Sequence, residues 1–148
     1  MTIQKAKLAE PPTNSNRGKP HTLVIDDDIV VADTLAMVLK TDGFEATTVY
    51  SGEAGVKLAG SREFEFLVAG VAMPHMNGIG AAIEIRERLP KCKVLLVSGD
   101  NEAGALLQEA MSRGYKFEIL ATPVHPLVLF QTLRSVGTAQ SSPKPLIN

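Results

Sequence analysis

Short, almost continuously apolar runs alternate with segments of helical periodicity along this chain, and that alternation predicts an α/β fold with one doubly wound parallel sheet. Two further observations support it. The apolar runs are too hydrophobic to face water on one side, as expected of parallel strands covered by helices on both faces. Helix stops such as Gly43, Pro90 and Gly114 also separate the periodic segments.

His21 to Ile25 is a short run of Thr, Leu, Val and Ile and is read as the first strand. Ile29 to Lys40 is read as helix, with Val31, Leu35, Val38 and Leu39 forming one apolar stripe and Gly43 as its stop. Phe44 to Tyr50 is the second strand, and Ser51 caps a short helix that ends near Gly60. Phe64 to Ala69 is the third strand, followed by a loop, MPHMNG. Ile79 to Leu89 is a helix stopped by Pro90. Lys93 to Val97 is the fourth strand, Asn101 to Arg113 the fourth helix with Gly114 as its stop, and Phe117 to Ala121 the fifth strand. Pro126 takes the favoured first position of a last helix, whose Leu127, Phe130 and Leu133 are expected to face the sheet.

The chain has 148 residues, enough for one domain with a real core. Residues 1–20 carry prolines, asparagines and charges without periodicity and read as a disordered arm. Residues 21–136 form the domain, and residues 137–148, with SSPKP among them, read as a flexible tail. The net charge of −1 gives no field toward nucleic acid or an anionic membrane. No apolar run is long enough to span a bilayer and no secretory signal is visible, so a cytoplasmic location is expected. The single cysteine, Cys92, excludes an internal disulfide and reads as an inert packing thiol. His21, His75 and His125 have no metal-ligand spacing. No P-loop, dinucleotide fingerprint or nucleophile elbow is present, and no enzymatic activity is expected.

Four segments carry the chemistry: LVIDDD at Leu23 to Asp28, FLVAGVAMPHMNG at Phe66 to Gly78, VLLVSGD at Val94 to Asp100, and ILATPVHP at Ile119 to Pro126. In order and spacing they resemble the four blocks of the bacterial response-regulator receiver (CheY-like) family, over roughly residues 22–136. The resemblance implies a flavodoxin-like sheet of order 2-1-3-4-5 with five helices. It places Asp26, Asp27, Gly70, Ser98 and Thr122 together at the carboxyl ends of the strands, near the switch point where such folds bind ligands. It also implies a cis peptide bond between Thr122 and Pro123.

The departures from that family are specific. Its phospho-accepting aspartate falls on Gly70, which has no side chain and cannot form an acyl phosphate. Its lysine falls on Thr122, and the aromatic switch residue three positions earlier falls on Ile119. The acidic pair remains as Asp26 and Asp27, and the switch hydroxyl as Ser98. Apart from the family, Asp28 reads as a helix cap beside two solvated acids. Loss of a carboxylate at position 70 leaves two acids and, by the family pattern, the Ala72 carbonyl, so Mg²⁺ is expected to bind weakly and no cofactor to be required.

The expected function is therefore a single-domain pseudo-receiver in two-component-type signalling. It would act through protein contacts with a histidine kinase, another receiver or an output protein. Two competing readings are a receiver phosphorylated at an atypical residue and a flavodoxin-like module for a small ligand. The acidic DDDIVVAD turn argues against the second, because a ligand phosphate needs donors.

Overall fold

A computed structural model describes residues 19–99 and 103–141, with the side chains of 137–141 left aside. Five strands and five helices alternate: β1 (His21–Ile25), α1 (Ile29–Thr41), β2 (Glu45–Val49), α2 (Gly52–Ala59), β3 (Phe66–Gly70), α3 (Gly78–Arg88), β4 (Lys93–Ser98), α4 (Ala103–Ser112), β5 (Glu118–Ala121) and α5 (Pro126–Ser141). All strand pairs are parallel and the order is β2-β1-β3-β4-β5, so the doubly wound expectation holds.

The sheet separates two apolar layers. Leu23, Ile25, Leu67, Val94 and Leu96 point toward the layer of α2, α3 and α4, among Ile79, Ile83, Ile85 and Phe117. Val24, Val68, Leu95 and Val97 point the other way, against Leu39 of α1 and Leu129 and Leu133 of α5. This alternation is the period of two that a strand imposes, here with both sets buried. The C-terminal residues of β1, β3 and β4 consequently end at one edge of the sheet.

Caps fix where the helices begin. Asp28 accepts from the amides of Val30 and Val31, Ser51 from Ala54, and Asn77 from Gly80. Gly43 (φ +88°) follows α1 and Gly114 (φ +93°) follows α4, in a backbone region that costs glycine nothing.

Several expectations shift. In α1 the fully buried residues are Ala32, Ala36 and Leu39, while Leu35 and Val38 pack only partly and Val31 is half-buried. Small residues take the line of closest approach, and the larger ones flank it. In α5 the buried stripe is Leu129, Leu133 and Val136. Leu127, expected to face the sheet, is 60% exposed, because it lies two residues from Leu129 and so on the opposite side of the helix from the buried stripe, and Phe130 is only partly buried. Phe64 is buried but precedes β3, which runs instead to Gly70.

Helix α5 continues past Gly137 to Ser141, beyond the boundary expected at residue 136. At the other end the Pro20 carbonyl accepts from Glu45 and Lys19 lies 3.9 Å from the Glu45 carboxylate, so ordered packing begins before residue 21. Most of the expected N-terminal arm, the last residues of the tail and the expected start of α4 at Asn101 lie outside the described residues.

Candidate functional site

The carboxyl ends of β1, β3 and β4 bring together the residues singled out by sequence. Ile25 pairs with Ala69 and Gly70 with Val97, so Asp26 emerges beside Gly70, one residue before Ser98. Ser98 pairs with Ala121, and the Thr122 amide donates to the Ser98 carbonyl at 3.0 Å. Asp26, Gly70, Ser98 and Thr122 therefore share one edge. Asp27 also lies there and is exposed. Ile119 does not belong to this edge. It pairs with Leu96 inside the sheet and packs partly into the core.

Gly70 is buried, and a Cβ built there would stand 2.6 Å from Asp26 Oδ2 and 3.2 Å from its Cγ. The Asp26 carboxylate thus occupies the space into which an acceptor side chain would project. Sequence reasoning had no means to find this, since it depends on the Asp26 rotamer. Asp26 Oδ1 accepts from the Asp28 amide at 2.9 Å. Burial pushes the Asp26 carboxyl above its ordinary range; the Asp28 amide opposes this, and the Asp27 and Asp28 carboxylates add to it.

The backbone behind Gly70 is sealed. A Cβ at Gly78 would lie 2.0 Å from the Gly70 carbonyl oxygen, and the Gly78 amide donates to Val71. Only glycine lets the start of α3 approach β3 this closely.

Thr122 is exposed, and its hydroxyl lies 2.8 Å from the position a Cβ at Gly99 would take. It rests on the end of β4, and its short side chain carries no charge to offer a transferring phosphoryl group. The Thr122–Pro123 peptide is cis, as the resemblance implied. Ser98 is 7% exposed and is held within this edge.

A divalent cation requires several hard oxygen ligands around it. Here position 70 supplies no side-chain oxygen, one Asp26 oxygen is engaged by the Asp28 amide, and the other lies over Gly70. With the exposed Asp27, the edge offers two side-chain carboxylates where the family pattern implies three, a sparse donor set for Mg²⁺.

A cavity of about 380 Å³ adjoins the edge, lined by Val71, Ala72, Met73, Pro74, Asn77 and Leu106. A larger one, about 680 Å³, lies at the opposite end of the sheet around His21, Phe64, Arg88 and Cys92. His75 is exposed in its loop at φ +69°. Cys92 is 2% exposed, and burial pushes its thiol up to about 12, as an inert packing role requires.

Comparison with known proteins agrees with this geometry. The response regulator receiver domain model matches residues 22–134, and the chain belongs to that family. It is 26% identical to the cell cycle transcriptional regulator CtrA of Caulobacter vibrioides over 128 residues, 82% of this chain and 54% of that relative. The chain thus spans about half of that protein's length. It is 28% identical over 112 residues to the two-component response regulator ORR5 of Oryza sativa, covering 74% of this chain and 82% of that one.

Among solved structures, the chemotaxis protein CheY4 of Vibrio cholerae has a TM-score of 0.71 at 23% identity, covering 80% of this chain and 98% of that one. A Burkholderia pseudomallei response regulator solved with a phosphorylated aspartic acid, a calcium ion and citrate has a TM-score of 0.71 at 25% identity, covering 82% of this chain and 70% of that one. The chain is thus a receiver domain of two-component signalling. No described helix is long and apolar enough to cross a membrane.

Proposed function

We propose that this receiver signals by protein contact, without aspartyl phosphorylation. One observation carries the reading: the acceptor position is Gly70, and the space in front of it is filled by the Asp26 carboxylate. Phosphoryl transfer is mainly positioning and charge neutralisation around an in-line nucleophile. Gly70 removes the nucleophile, Thr122 lacks the neutralising amine, and Ile119 lacks the aromatic ring of the family's switch. No catalytic activity and no required cofactor follow from that set, and Mg²⁺ would bind weakly.

The surface around this edge supports a contact role. Ile29 and Val30 at the start of α1 are 56% and 72% exposed, and Leu127 and Val128 at the start of α5 are 60% and 43% exposed. Both helices pack on the same sheet face, and both begin at its carboxyl edge. Exposed apolar side chains grouped beside polar ones are typical of recognition surfaces. The partner would be a histidine kinase, another receiver or an output protein in the cytoplasm. Neither nucleic acid nor membrane is a target for a chain of net charge −1.

The test is capture of partners from a lysate of the source cells, with and without acetyl phosphate. The same proteins should be retained in the same yield under both conditions, and Val30→Asp should release them. A partner set that changes with acetyl phosphate would overturn the reading.

A further inference from the structure

We infer that Gly70 and Asp26 are a coupled pair of positioning residues that set the amino end of α1. The inference deepens the contact reading above, since α1 begins with the exposed Ile29 and Val30.

The coupling runs through four groups. Asp26 Oδ2 lies 2.6 Å from the point where any side chain at position 70 would begin. The other oxygen of the same carboxylate accepts from the Asp28 amide at 2.9 Å. Asp28 in turn caps α1, accepting from Val30 at 3.0 Å and Val31 at 3.3 Å. A Cβ at position 70 would force Asp26 Oδ2 to shift, and that oxygen belongs to the same carboxylate whose Oδ1 holds the Asp28 amide.

The backbone at position 70 cannot retreat to relieve a clash. Behind it, the start of α3 lies so close that a Cβ at Gly78 would stand 2.0 Å from the Gly70 oxygen. The Asp26 carboxylate, the free end of a short side chain, is the group that gives way. Turning it aside removes the acceptor from the Asp28 amide and loosens the residue that caps α1. The residue at position 70 is therefore read at the first turn of α1, with no phosphoryl group involved.

Amide hydrogen exchange on the isolated chain tests this, independently of any partner or phosphodonor. In Gly70→Ala the amides of Asp28, Val30 and Val31 should exchange at least roughly tenfold faster, as loss of a charge-assisted hydrogen bond implies. The amides of β3 and β4 should be unchanged. Asp26→Ala should accelerate the same three amides, and in the double variant the two effects should not add, because the added methyl then has no carboxylate to displace. Unchanged protection at Asp28, Val30 and Val31 in Gly70→Ala would overturn the coupling, as would full additivity. If Gly70→Ala does not fold, the double variant decides: a folded double variant that exchanges like Asp26→Ala supports the coupling, and one that fails to fold or exchanges faster overturns it.

Discussion

Asp26 is the residue on which the site depends, and its ionisation should be visible in stability. Burial, followed by the neighbouring Asp27 and Asp28 charges, raises its carboxyl above the ordinary 3.8. A raised acid binds its proton more tightly in the folded state than in the unfolded one. Its contribution to stability is therefore fully present below the unfolded value and is lost as pH rises through the folded value. Asp26→Asn keeps an oxygen for the Asp28 amide and removes the titration. The variant should be at least as stable as the parent at neutral pH, and the decline in stability just above pH 3.8 should flatten. Urea melts across that range check this; an Asn variant with an unchanged profile would show that Asp26 is not the group responsible. The presence of Gly70 and Thr122 at this edge was legible in sequence, because the order and spacing of the family blocks place them there. The Asp26 carboxylate over Gly70 was not, because a rotamer leaves no trace in residue order.

At the scale of elements, the burial of α5 gives a direct check. Leu133 is fully buried against β4 and its neighbours, whereas Leu127 is 60% exposed on the outward side of the first turn. Leu133→Ala should cost about 2–5 kcal/mol, as large-to-small changes in cores do. Leu127→Ala should stay within about 0.5 kcal/mol. Similar costs at both positions would mean the helix is seated differently. Strand order and helix number followed from the apolar alternation and the family blocks. The phase of the stripes did not, because periodicity places residues on a helix face without locating that face above the sheet. In α1 the closest approach went to Ala32 and Ala36, whose small side chains give a weak apolar signal.

For the whole molecule, this chain shares the receiver architecture, and the proposed reading makes it differ from a phosphorylated receiver in what collects at one edge of the sheet. Metal response should show the difference. Saturating a site at about 100 times its dissociation constant would add about 2.7 kcal/mol. That would be a shift of several degrees for a domain of this size. With Gly70 supplying no ligand, millimolar Mg²⁺ should move the melting temperature by less than about 1 °C. A shift of several degrees that Asp27→Asn abolishes would establish a functioning cation site and favour metal-gated contact.

The central claim is that this receiver takes no aspartyl phosphate, and intact-mass spectrometry after incubation with acetyl phosphate and Mg²⁺ tests it most directly. The parent chain should gain no phosphoryl group. Gly70→Asp should gain little, since Asp26 must first give way and Thr122 still supplies no amine. Gly70→Asp combined with Thr122→Lys should gain more, because nucleophile and charge neutraliser return together. A hydroxylamine-sensitive phosphoryl adduct on the parent chain would contradict the account.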